Sequence, residues 1–217
     1  MFRSRMNGRS NRIAVLSGWM IFAAAAATVP VATAAAAQAS TTSSSPQVTT
    51  AQIPAEKQTV LGLYVTAKEA YQRWEAAPDK VKIIDVRTPE EVFWVGHPPM
   101  AWKIPVVAVT YEGDADKKQF PMRPLPDFVT RVQKVATPED TLMVMCRSGG
   151  RGAMAVNLLA KAGYKNVYNV IDGMEGDSVD DPDSVFQGQR LVNGWKNSGL
   201  PWTYKIDPAL LVLPAVQ

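Results

Sequence analysis

Two apolar runs in this chain end directly at the signals that begin a helix. Val81 to Val86 (VKIIDV) has the length and β-branched content of a buried strand, and Thr88, Pro89 and Glu91 then supply a helix cap, a first-turn proline and a capping-box partner. Thr141 to Met145 is a second such run. It is followed by Cys146, a glycine-rich turn, and then Ala155, Leu158, Leu159 and Ala162 on the core face of a helix closed by Gly163. Strands of this kind are covered on both faces, and a strand that passes straight into a helix leads to a parallel neighbour. The pattern predicts an α/β domain with a central parallel β-sheet flanked by helices on both faces.

Further elements follow the same logic. Thr66 with Glu69 forms a capping box, and Ala70, Trp74 and Ala77 continue one helical face until Pro78 stops it. Leu125, Phe128, Val129, Val132 and Val135 recur at helical spacing, Thr137 to Asp140 turns into the second strand, and Val167 to Ile171 reads as a third. No internal repeat is visible. At 217 residues with 47% hydrophobic and 20% charged residues, the chain has the composition of one globular domain. Ligands of open α/β sheets gather at the carboxyl ends of strands, where Asp85, Arg87 and Cys146 fall.

The amino-terminal segment has a different composition. Arg3, Arg5, Arg9 and Arg12 precede an apolar run from Ile13 to Ala27, and Ala37-Gln38-Ala39 is a small-x-small cleavage signal before Ser40. This is the layout of a secretory signal peptide over residues 1–39, which places the mature protein in the periplasm or outside the cell. An uncleaved membrane anchor is the alternative, since no charge occurs between Ile13 and Ala55; without an Arg-Arg pair, ordinary secretion is favoured over a twin-arginine route. Residues 40–59, rich in Ser, Thr, Gln and Pro, read as a disordered linker, leaving residues 60–217 as the domain. The formal charge of +3 and pI near 9.0 come from the four leader arginines. Without them 19 basic residues face 20 acidic ones, so the charge gives no support to nucleic-acid binding.

A single cysteine excludes an intramolecular disulfide framework and multi-thiolate sites, and a single histidine, His97, excludes multi-histidine metal centres. The chemistry concentrates in Cys146-Arg147-Ser148-Gly149-Gly150-Arg151-Gly152. Three glycines in four positions let backbone N–H groups turn inward and form a cradle for an anion. The helix N-terminus and two guanidinium groups favour the thiolate of Cys146, with Arg147 and Arg151 placed to hold an anion whose leaving part is attacked in line.

From about Val60 to Tyr204 the sequence resembles the rhodanese-like, single-domain sulfurtransferase family. The resemblance rests on IIDVRTPEE at Ile83 to Glu91, Gly96-His97, CRSGGR at Cys146 to Arg151, GYKNV at Gly163 to Val167, DGMEG at Asp172 to Gly176 and a terminal GLPW, in that order and spacing. It implies that Cys146 takes a sulfane sulfur from a donor such as thiosulfate, holds it as a persulfide and passes it to cyanide or to a thiol, either a small one or one on a protein acceptor. It further implies that Arg147, Ser148, Gly149, Gly150 and Arg151 form the substrate cradle, with Arg87 binding substrate and Asp85 supporting it. No metal or organic cofactor is implied. Cysteine phosphatases and arsenate reductases need an arginine six positions after the nucleophile, where this chain has Gly152; its arginine is at five, Arg151. Gly152 also stands where a Ser or Thr usually follows the loop arginine, Pro98-Pro99-Met100-Ala101 replaces the usual Ile-Pro-Gly-Ala, and an acidic stretch follows Gly176.

Other residues have structural readings. His97 is expected to be a turn residue rather than a base, Arg87 and Glu91 to form an ion pair at the strand-to-helix corner, and Asp85 to hold loop amides or an arginine. Asp177, Asp180, Asp181 and Asp183 read as a solvated insertion, lacking the spacing of a calcium loop. Trp94, Trp102, Trp195 and Trp202 read as core and edge packing. Two other function classes remain open: a non-catalytic binding or sensor module on the same scaffold, and a thiol redox role whose partner thiol comes from elsewhere.

Overall fold

The computed structural model describes residues 53–113 and 120–215. The proposed signal peptide and the linker up to residue 52 lie outside the described residues. Five strands form one parallel sheet: β1 (Tyr64–Val65), β2 (Val81–Asp85), β3 (Trp102–Lys103), β6 (Thr141–Met145) and β7 (Val167–Val170), in the order β1-β7-β6-β2-β3. β4 (Val107–Val109) and β5 (Met122–Pro124) pair antiparallel as a separate ribbon. The helices are α1 (Ala67–Ala76), α2 (Pro89–Val95), α3 (Phe128–Val132) and α4 (Gly150–Lys161).

Side-chain alternation along β2 and β6 divides the core in two. Ile84, Leu142 and Val144 pack on one face with Phe128 and Val132 of α3 and Ala155, Val156 and Leu159 of α4. Ile83, Met143 and Met145 pack on the other with Ala67 and Ala70 of α1 and the fully buried Trp195. Helices therefore cover both faces, as the apolar strands require. Both capping boxes form: Thr66 with Glu69 starts α1, and Thr88 with Glu91 starts α2.

Tertiary bonds hold the segments that lack regular structure. Buried Arg131 of α3 donates to the carbonyls of Pro105 and Val212, at 2.7 and 3.2 Å, and so ties the chain after β3 to the C-terminal segment. That segment lies beside the edge strand, with Leu211 bridged in parallel to Lys103. Asp172 accepts from the backbone N–H groups of Ala67 and Gly194, joining the end of β7 to α1 and to the tail.

The structure departs from the sequence pattern at several positions. The linker expectation fails for residues 53–59: Ile53 is buried, Ala55–Lys57 forms a 3-10 turn, and the Lys57 carbonyl accepts from Asn169. These residues are polar, but their partners lie on β7 and α4, which local composition does not reveal. Arg87 does not pair with Glu91; it pairs with Asp85, in the reading that gave Asp85 an arginine to hold. Trp195 is core and Trp102 is half-buried, but Trp94 is 75% exposed, against the packing expected for it. Asp177 is half-buried rather than fully solvated, pairing with Lys57 at 2.8 Å and accepting from Asn193.

His97 is fully buried in a backbone bridge to Thr203, and its Nδ1 donates to the Pro98 carbonyl at 3.0 Å. Burial pushes its pKa below the ordinary 6.5; the Pro98 bond opposes this shift, Lys103 and Arg87 add to it, and Asp85 opposes it. The unfolded chain thus binds a proton at a pH where the folded one does not. Stability is expected to be full above about pH 6.5 and to fall as the pH drops toward the depressed folded value. Urea titrations at about pH 7.5 and about pH 5.5 check this, since His97→Gln should lack that part of the decline.

Candidate active site

Cys146 follows the last residue of β6, and α4 begins four positions later. Between them the backbone must reverse closely. Gly149, the residue before α4, takes φ 99°, and a Cβ there would sit 2.5 Å from the Ile171 carbonyl oxygen. The loop after β7 packs on the same turn, with Met174 N–H donating to the Cys146 carbonyl at 2.8 Å and Glu175 N–H to that of Arg147 at 2.9 Å. A Cβ on Gly173 would fall 2.4 Å from the Cys146 carbonyl oxygen, so only glycine allows this approach.

The Cys146 Sγ is buried and accepts a hydrogen bond from Gly149 N–H at 3.2 Å. Among the described residues, no group accepts from the N–H of Arg147, Ser148, Gly150, Arg151 or Gly152. The first amides of a helix are left without intrahelical partners, and here they are grouped beside a sulfur nucleophile. The arrangement offers several donors to an anion and one donor to charge on the sulfur.

The arginines divide in a way the spacing did not reveal. Arg147 is exposed and makes no ion pair among the described residues. Arg151 grips Glu91 of α2 bidentately, at 2.5 and 2.6 Å, instead of standing free as a second clamp. Burial opposes both charges, yet the pairing outweighs it: the Glu91 carboxyl is held below its usual range and the Arg151 guanidinium above its own. Glu91 therefore joins the site; the sequence assigns it the cap of α2 and an ion pair with Arg87, and its actual partner is Arg151.

Asp85 and Arg87 are also placed differently from the expected substrate group. Asp85 is in register with Met145, on the α1 face, whereas Cys146 packs in the cluster on the α4 face. Arg87 is 1% exposed; its Nε and Nη2 donate to Asp85, and Nη2 also to the Gly96 carbonyl at 2.8 Å. The pair thus fastens the carboxyl end of β2 to the turn after α2. Arg87 is a buried brace there rather than an open cradle group.

Gly152 finds its explanation on β7. A Cβ there would lie 2.4 Å from Asn169 Oδ1, and Asn169 Nδ2 donates to the carbonyls of Gly149 and Lys57, at 3.1 and 2.9 Å. Asn169 thereby braces the loop from the space that a side chain at 152 would enter.

The chain belongs to the rhodanese-like domain family, whose pattern matches residues 66–178. It is similar to an uncharacterized protein of Rickettsia prowazekii, 32% identical over 123 residues, 56% of this chain and 82% of that one. It is also similar to the mitochondrial protein HIGH ARSENIC CONTENT 1 of Arabidopsis thaliana, 36% identical over 92 residues, 42% of this chain and 49% of that protein. Among solved structures, Rv0390 from M. tuberculosis shares 25% identity, with a TM-score of 0.49 over 65% of this chain and 96% of that one.

Two outcomes are expected from these contacts. Glu91→Gln should lower stability at neutral pH by about 1.5–3 kcal/mol, the range for hydrogen bonds to charged groups. Because the Glu91 carboxyl is depressed, the gap between the two proteins should close as the pH falls through its folded value, measured by chemical denaturation. Gly152→Ser should cost about 1–3 kcal/mol through crowding of Asn169. In a double-mutant cycle with Asn169→Ala the two changes should be non-additive.

Proposed function

We propose that this protein is a sulfurtransferase that carries sulfane sulfur on Cys146. The observation that carries the reading is the Cys146 sulfur with the Gly149 N–H donated to it, set among loop amides that have no described acceptor. The Cys146 thiolate attacks the outer sulfur of a donor such as thiosulfate. A new S–S bond forms to Cys146, the donor's S–S bond breaks, and sulfite leaves with the bonding pair. Loop amides and Arg147 hold the anion during this exchange. Cyanide or a thiol, free or on a partner protein, then takes the outer sulfur, and Cys146 returns to a thiolate.

The position of Arg151 favours this reading over phosphoryl or arsenate chemistry. A phosphate clamp needs a free arginine facing the anion, and Arg151 is held by Glu91 while Gly152 occupies the sixth position. Export through the amino-terminal segment would set this exchange in the periplasm or outside the cell, and the sulfur donor and acceptor would be those available there.

Intact mass of the purified protein, before and after thiosulfate and then after cyanide, tests the reading beside Cys146→Ser. A gain of one sulfur that cyanide removes, absent from the variant, is the expected result. No adduct from thiosulfate or other sulfane donors, with a thiol still open to alkylation, would overturn it in favour of a binding or redox role.

A further inference from the structure

A cavity of about 210 Å³ lies between α2, β3 and the C-terminal segment. Its walls are mostly apolar, with Val92 and Phe93 of α2 on one side and Ile206, Leu211 and Leu213 of the tail on the other. Two cationic residues, Arg87 and Lys103, also line it. Both are almost fully buried, at 1% and 2% exposure, and Arg87 Nη1 and Lys103 Nζ have no hydrogen-bond partner among the described residues.

These cations differ in their compensation. The Arg87 charge is met by Asp85, and the Arg87 Nη1 is left over as a donor. Lys103 has no ion pair among the described residues; Asp85, its register partner on β2, is committed to Arg87, and Asp207 is exposed. A buried ammonium without a partner is costly, and burial accordingly pushes Lys103 below its usual range while Asp85 and Asp207 oppose the shift. His97 sits near the same charges, with Nε2 unpartnered. The local excess is one positive charge beside an apolar space, and apolar walls offer water few bonding partners.

We propose that this cavity is a binding site for a small organic monoanion: a carboxylate or sulfonate head on an apolar chain. The Arg87 Nη1 and Lys103 Nζ are covered by the cavity wall, and entry of the head uncovers them as its donors while the chain lies among Val92, Phe93 and the tail leucines. One negative charge neutralises the excess, where a dianion would overshoot it. The volume suits a ligand of about eight to ten non-hydrogen atoms, since an apolar cavity of about 150 Å³ already holds benzene. The site is separate from the cysteine loop, and its occupation does not depend on sulfur transfer by Cys146.

Octanoate is a suitable probe, titrated into the whole protein by calorimetry and by thermal melting, beside octanamide and acetate. Saturable binding of one octanoate is expected, with octanamide and acetate each weaker by roughly ten-fold or more, because both the charge and the chain are needed. Lys103→Met should weaken octanoate by roughly ten-fold or more while melting no lower than the parent protein without ligand, since it removes an unpaired buried charge. Leu213→Trp, which fills the space and leaves both cations in place, should also lose octanoate. Cys146→Ser should bind it as the parent does. Absence of saturable binding, equal affinity for octanamide, or unchanged affinity in Lys103→Met would overturn the proposal, and loss of binding in Cys146→Ser would assign the anion to the cysteine loop instead.

Discussion

The turn from β6 into α4 depends on the loop after β7. The Cys146 and Arg147 carbonyls point away from the cradle and are satisfied by the N–H groups of Met174 and Glu175, so the intervening amides remain available to face an anion. The absence of a Cβ on Gly173 allows that approach, and Gly149 clears the Ile171 carbonyl on the same side. Parallel pairing of β6 with β7 brings the two loops together at the carboxyl ends of the strands. Strand register and the geometry of the candidate nucleophile are therefore one constraint.

Around this turn, charge is organised in layers. Arg151 and Glu91 connect the first turn of α4 to the first turn of α2, and Arg87 and Asp85 connect the end of β2 to Gly96. Each pair neutralises itself, which leaves the exposed Arg147 as the loop cation facing solvent. Lys103 is the buried exception, and the anion site proposed beside it follows from that imbalance.

Much of this was legible in the chain. The apolar runs announced β2 and β6, Thr66 and Thr88 announced the starts of α1 and α2, and the glycines around Cys146 announced a tight anion-facing loop, because each signal is local and short in range. The short strands β1 and β3 were not legible: two residues carry no periodicity, and both exist through pairing with β7 and β2. The order of residues 53–59 was not legible either, since a polar segment can be ordered by distant partners such as Asn169 and Asp177.

The sequence by itself determined the α/β class, the strand-to-helix corners, the family and the placing of Cys146 at a strand end, all of which follow from periodicity, capping and ordered motifs. The tertiary structure decided which charges meet. Arg87 turned to Asp85, Arg151 crossed sixty positions to Glu91, and Lys103 was left without an acid beside an apolar cavity. The physical reason is that a side chain's electrostatic partner is set by which elements pack together, and spacing along one element does not contain that information.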